Sequence, residues 1–218
     1  MVTQKMETQK RIQLNVMENK ESDIYLTLEN ASEGFYKDKG SKFIAYAHPI
    51  TSELEAKTIL NDIKKKHYDA RHHCYAYIIN EDNIEKYRIT DDGEPSGTAG
   101  KPIYNQIMKA GLSNVFIVVV RYFGGILLGT GGLINAYRSA AQDAISNSII
   151  IEKFYLINFI ITFPYESTSE VMNIIKLYDI NILDQKYDNL SKLYLSVRKS
   201  FYKRSVDKFL KISDLQIL

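Results

Sequence analysis

The chain has 218 residues, 45% of them hydrophobic, and a formal net charge of +2, enough apolar material to bury the core of one large domain or two small ones. No run approaches the roughly 18 apolar residues of a membrane span, and the start lacks the apolar core of a secretory signal. Cys74 is the single cysteine, so no internal disulfide can form and a reducing cytoplasm is the natural compartment, while the small net charge neither demands nor excludes a nucleic-acid partner.

Residues 1–22 are polar and lack a sustained period, so they read as a flexible extension, with Met17 as an alternative start. Strands are expected over Ser32 to Tyr36 and Lys42 to Pro49, followed by a helix from Ser52. Ser52 and Glu55 have capping-box spacing, and Ala56, Ile59, Leu60 and Ile63 supply a buried stripe. Lys64, Lys65 and Lys66 end that helix, where cations suit the dipole. Strands near Cys74 to Ile79 and Lys86 to Thr90 come next. His67, His72, His73 and Cys74 superficially resemble a metal cluster. Neighbours on a strand point to opposite faces, so only His72 and Cys74 share one, and no metal site is expected. A Cys74 nucleophile lacks an orienting third group, and no catalytic residue is assigned.

Thr90 to Pro102 (TDDGEPSGTAGKP) combines three acids with glycines and prolines and must be a loop. Lys101 and Pro102 introduce a helix from Ile103 to Ala110. Asp91, Asp92 and Glu94 could hold a cation or act as acid and base; the plainer reading is a turn whose acids cap the backbone. Val115 to Val120 is a continuous apolar, mostly β-branched run, which suits a strand buried on both faces. It ends at Arg121, Tyr122 and Phe123, followed by Gly124, Gly125, Gly129, Gly131 and Gly132. A helix pattern begins near Leu133, carried by Leu133, Ile134, Tyr137, Ala140, Ala141 and Ala144. A glycine-rich connection into a helix N-terminus offers backbone N–H groups to an anion, with Lys101 and Arg121 as cations and Tyr122 and Phe123 as stacking surfaces. Equally, the glycines could merely turn a strand tightly into a packed helix. Arg121 has two jobs open to it: a bidentate hold on a phosphate or carboxylate ligand, or an internal pair with Asp91, Asp92 or Glu94. Thr130 stands where a Walker lysine would be, and no G-x-G-x-x-G is present.

All the glycines lie between Gly34 and Gly132. That change of character places a domain boundary near Ile149 to Lys153, giving 23–150 and 151–218 as the two domains. The second reads as strand Phe154 to Phe163, helix Ser167 to Tyr178, strands Ile180 to Lys186 and Leu193 to Arg198, helix Tyr202 to Lys211 and a short final strand. That order is the βαββαβ plan of ferredoxin-like folds. The first domain reads as helices against a sheet, so the fold class is α+β. Arg198 to Lys211 holds six basic residues and one acid; Arg198, Lys199, Lys203 and Arg204 form a candidate basic surface for phosphates, against the commoner reading of a solvated helix face.

RHHCYAY (Arg71 to Tyr77), DDGEPSGTAGKP (Asp91 to Pro102), VVVRYFGGILLGTGGLINAYRSAA (Val118 to Ala141) and the opening SEGFYKDKGSKFIAYAHP (Ser32 to Pro49) together resemble the YigZ/Impact family, and the resemblance runs from about Tyr25 to the C-terminus. It implies two domains similar in fold to domains IV and V of elongation factor G. It also implies a setting in translation: eukaryotic members compete for a ribosome-associated activator of the amino-acid-starvation kinase, and bacterial members are cytosolic. The expectation is a non-enzymatic, translation-linked binding protein of the cytoplasm that recognises RNA, the ribosome or a ribosome-associated factor, without a cofactor. The alternatives are an enzyme acting on a phosphate-bearing small molecule and a pure protein-interaction module.

Overall fold

A computed structural model describes residues 23–81 and 84–218. The expected extension over 1–22, with Met17, lies outside the described residues. The described residues divide into two compact units, 26–152 and 153–218, with Asp23 to Tyr25 grouped with the second. Strands β1 (Ile24–Leu28) and β7 (Ile150–Phe154) pair in a two-stranded sheet, and the division falls within both. Neither strand was anticipated as separate; the expected strand from Phe154 is split at Tyr155, whose N–H donates to the carbonyl of Asp23 at 2.7 Å.

The first unit is built on β2 (Ser32–Asp38), β3 (Ser41–Pro49), β4 (His72–Glu81), β5 (Ile84–Thr90) and β6 (Val115–Tyr122), in the order β2-β3-β6-β4-β5. Every neighbouring pair is antiparallel. The apolar run of β6 takes the centre and is buried on both faces, because each face meets helices. On one face, α1 (Glu53–Lys66) sets Ala56 and Ile63 against Tyr46, Tyr77, Phe116, Val118 and Val120. Its first turn is capped as the spacing implies on one side only: the Ser52 side chain accepts from the Glu55 N–H, while the Glu55 carboxylate takes the Thr51 N–H at 2.8 Å rather than that of Ser52.

On the other face lie α2 (Gly100–Lys109) and α3 (Gly129–Ser146). Helix α3 buries Leu133, Ala136, Tyr137, Ala140, Ala141 and Ala144, and Tyr137 meets Phe43 edge-on at 5.1 Å. Gly34 lets the helix approach β2 so closely that a Cβ there would overlap the backbone of Ala144. The helix starts at Gly129, not near Leu133. Packing of the alanine-rich stripe extends the helical period one turn further back, outweighing the glycine penalty of roughly 1 kcal/mol per residue. Ile134, expected in that stripe, is 40% exposed.

The second unit carries β8 (Leu156–Phe163), α4 (Thr168–Leu177), β9 (Asn181–Tyr187), β10 (Ser191–Arg198), α5 (Lys199–Phe209) and β11 (Gln216–Ile217), with strand order β11-β8-β10-β9. Its strands 1 and 2 thus flank strand 3, the split βαβ arrangement. Phe159, Ile161, Phe163, Leu193, Leu195 and Val197 on one sheet face pack against Val171 and Ile175 of α4 and Phe209 of α5. The fold class is α+β. No helix among the described residues is long and apolar enough to cross a membrane.

Candidate functional site

The three acids of the loop after β5 are turned inward. Asp91 places its carboxylate at the start of α2, accepting the N–H groups of Gly97 at 2.8 Å, Ala99 at 3.0 Å and Gly100 at 2.9 Å. A carboxylate there satisfies orphan amides and meets the positive end of the helix dipole. Asp92, at φ +42°, accepts the His73 N–H through its side chain at 2.7 Å, and its carbonyl lies 2.8 Å from His72 Nδ1. Glu94 is buried and takes Arg121 Nη1 at 2.6 Å and the Tyr137 hydroxyl at 2.8 Å on the same oxygen.

Arg121 is only 7% exposed. The register that puts it opposite Phe43 on β3 and His72 on β4 points it at the α2 and α3 side of the sheet, with its guanidinium between the rings of Phe43 at 5.5 Å and Phe123 at 5.7 Å. Of the two jobs open to it, this geometry shows the internal pair: Nη1 is held by Glu94, while Nε is buried without a hydrogen-bond partner. Beside it the Cys74 thiol lies 2.9 Å from the Asp91 carbonyl and 3.3 Å from the Tyr137 hydroxyl. Burial pushes that thiol well above its ordinary range, reinforced by the nearby acids, which is the opposite of a nucleophile's environment. Burial likewise keeps the Tyr137 hydroxyl protonated. His72 and Cys74 share this face, whereas His73 points to the other. Among the described residues no group of three or more His, Cys, Asp or Glu side chains could hold a metal ion.

The glycine turn is a surface of another kind. Gly124 is there for packing: its N–H donates to Ser41 Oγ at 3.0 Å, and a Cβ would overlap the backbone of Gly40 and Ser41. Gly132 leaves room for the Leu128 side chain. Gly125 and Gly129 adopt positive φ, +88° and +71°, but a Cβ on either, or on Gly131, would meet nothing within 4 Å. No side chain caps the start of α3, and Gly129, Thr130 and Gly131 are exposed. Phe123 is 48%, Ile126 56% and Leu127 81% exposed. Apolar side chains and open backbone thus face solvent together; Gly125 and Gly129 answer to their positive φ, and only Gly131 is held to glycine by neither space nor φ. Lys101 is exposed on the first turn of α2. Tyr122 leaves this group: it faces α1, where its hydroxyl donates to Asp69 Oδ1 at 3.0 Å.

That hydroxyl belongs to a network that the sequence did not signal. Because Asp69 can only accept, Tyr122 accepts from His67 Nδ1–H at 2.8 Å, leaving Nε2 to accept the Tyr46 hydroxyl at 2.7 Å. Burial, helped by Lys66, lowers the His67 pKa and keeps the ring neutral. The partners lie 21 and 55 residues away along the chain, so no local spacing announces them.

In the second unit, Arg198 is also occupied internally, its Nε and Nη2 bonded to Asp23 at 3.1 and 3.0 Å and its plane 3.6 Å above the Phe154 ring centroid. Asp23 accepts the Ser200 N–H and hydroxyl as well, capping α5. Burial alone would raise the Asp23 carboxyl, but these bonds outweigh it and hold it at about 2. Lys199, Lys203 and Arg204 remain exposed along α5.

Residues 39–145, which include both loops, match the family described as Impact N-terminal domain. The chain is 42% identical over 130 residues to IMPACT family member YvyE of Bacillus subtilis, covering 59% of each protein. It is 35% identical over 150 residues to IMPACT family member YigZ of Escherichia coli, covering 68% of this chain and 74% of that one. The match thus spans somewhat under two thirds of the Bacillus protein and about three quarters of the Escherichia protein. A solved structure described as a hypothetical protein superposes with a TM-score of 0.70 at 30% identity, covering 90% of this chain and 97% of the other.

Proposed function

Since this chain belongs to the IMPACT family, we propose that it is a non-enzymatic, translation-linked binding protein of the cytoplasm that engages the ribosome or a ribosome-associated factor through the surface from Phe123 to Gly132. The observation that carries the reading is the exposed turn itself. Phe123, Ile126 and Leu127 are set outward beside open backbone at Gly125 and Gly129, whose positive φ requires glycine, and at Gly131, where neither space nor φ does. Exposed apolar groups beside accessible backbone suit a macromolecular contact. The uncapped start of α3 adds N–H groups able to receive a carboxylate or phosphate of the partner. An enzyme of phosphate-bearing metabolites is less well supported, because Asp91 and Glu94 are spent on backbone amides and on Arg121 and Tyr137.

Co-sedimentation of the full chain with ribosomes tests this. Leu127→Asp alters an 81% exposed side chain and should leave the melting temperature unchanged; it is expected to weaken co-sedimentation. Undiminished co-sedimentation overturns the proposal, and turnover of any member of a nucleotide panel restores the enzyme reading.

A further inference from the structure

Both helices of the second unit lie on one face of its sheet, and the opposite face carries a different chemistry. Alternation along the strands places Asn158, Ile160 and Thr162 of β8, Lys192 and Tyr194 of β10, Asp184 and Lys186 of β9, and Gln216 of β11 on that side. At its middle, Tyr194 lies opposite Ile160 on β8. The ammonium groups of Lys186 and Lys192 stand 5.6 and 5.4 Å from its ring centroid.

Lys186 and Lys192 are direct register partners on neighbouring antiparallel strands. Like charges in that position destabilise a sheet, and among the described residues neither lysine forms an ion pair with a carboxylate. The one acid of the patch, Asp184, turns an oxygen to the Gln185 N–H at 2.8 Å. Two ammonium groups without a carboxylate partner, lying over the Tyr194 ring in cation–π contact, suit a ligand that brings both negative charge and a flat ring, the flexible lysine stems swinging to its phosphates as the ring takes a base. An acidic peptide would satisfy the lysines but not the tyrosine, and a duplex presents phosphates with its bases stacked away.

We propose that this open sheet face binds single-stranded RNA, with Tyr194 as the stacking platform for a base, Lys186 and Lys192 as phosphate contacts, and Asn158, Thr162 and Gln216 as hydrogen-bonding groups for base edges or the 2′-hydroxyl. Stacking on an aromatic side chain of a four-stranded sheet, with cations tracking the backbone, is a recurrent solution for single strands. The choice of RNA rests on the translation-linked reading, but the residues lie in the other unit from the Phe123 to Gly132 turn, so variants can test the two sites separately.

Fluorescence anisotropy of a labelled oligouridylate of about a dozen nucleotides, titrated with the full chain over a series of salt concentrations, tests it. Tyr194→Leu is expected to weaken binding about 5-fold to about 100-fold, while Tyr194→Phe retains it. Joint replacement Lys186→Gln and Lys192→Gln should flatten the log–log salt slope by about 1.4, from roughly 0.7 per lost phosphate contact on a single strand. Polyphosphate, which has no bases, should respond to the lysine changes and not to Tyr194→Leu, and Leu127→Asp should leave oligouridylate binding intact. Wild-type affinity of Tyr194→Leu, or an equal loss of polyphosphate binding, overturns the proposal. So does loss of oligouridylate binding in Leu127→Asp alone, which would move the RNA to the glycine turn.

Discussion

Gly131 offers a test in which stability and function should move in opposite directions. It is the third residue of α3, its φ is not left-handed, and a Cβ there meets nothing within 4 Å. Gly131→Ala therefore removes unfolded-chain freedom at no steric cost, and the first unit should gain about 0.4–1 kcal/mol. For a unit of this size that is an increase of about 2–4 °C in Tm. Gly124→Ala should behave oppositely, because the added Cβ would overlap the backbone of Gly40 and Ser41; overpacking against backbone costs about 1–3 kcal/mol or more. Gly125→Ala falls between, with open space but a φ of +88°, a strain of about 1–2 kcal/mol. Urea denaturation of the three variants ranks them, and ribosome co-sedimentation is run on the same samples. If the open backbone at Gly131 serves a partner, Gly131→Ala is more stable and binds less. A Gly131→Ala variant destabilised by more than about 1 kcal/mol refutes the placement of the start of α3 on which the estimate rests.

Glu94→Gln leaves Arg121 buried without its counter-charge and should cost about 3–5 kcal/mol in urea denaturation; Arg121→Lys should also destabilise, and a loss under about 1 kcal/mol in both would mean that the pair is not a brace. Burial lowers the pKa of His48, His67 and His73 below the unfolded value of 6.5. Above that value neither state binds the protons and the stabilisation is complete; below it the unfolded chain takes up protons that the folded chain resists, so stability falls with pH. Denaturation midpoints at about pH 7.5 and about pH 5.5 should show this decline, reduced in His67→Gln; a flat profile contradicts it. Asp23→Asn should cost the second unit about 1–2 kcal/mol through the lost α5 cap. The native carboxylate gives its contribution in full above 3.8 and loses it as pH falls through about 2. A fragment of residues 150–218 is expected to melt cooperatively yet below the same unit in the full chain, since it lacks Asp23; equal melting temperatures would count against the cap.

The parts of the fold that could be read from sequence are those in which a local pattern and a tertiary demand agree. The Val115 to Val120 run is apolar at every position because β6 has helices on both faces, and α1 shows its stripe because one side of it meets solvent. The sequence pattern places the start of α3 too late because local and tertiary signals conflict there. Glycine argues against helix at 129, 131 and 132, while burial of Leu133, Ala136 and Tyr137 draws the helix back over them. Strand β1 is illegible in the sequence for another reason: Leu26 finds its partners far along the chain, in the bridge to Leu112 and the bond from the Ser113 N–H to the Leu26 carbonyl.

The site divides along the same line. Which loops would be unusual follows from composition, since thirteen residues from Thr90 to Pro102 cannot sustain a helix or a strand. Whether an acid in such a loop faces inward does not, because that depends on a cation arriving from a distant strand. Glu94 and Arg121 are separated by 27 residues, and only the register of β6 against β3 and β4 decides that Arg121 points to the side where the acidic loop closes. A strand-end arginine one residue out of phase would point to the α1 face, and Glu94 would then need another counter-charge. The same parity sends Tyr122 to His67 and leaves Phe123 at the surface. Three consecutive residues, grouped in sequence as candidates for one ligand surface although Arg121 also had an internal pair open to it, are thus divided among a buried ion pair, a second buried network and an exposed rim. For that reason the functional weight of this loop falls on the residues after the strand has ended, where alternation no longer assigns a side chain to either core.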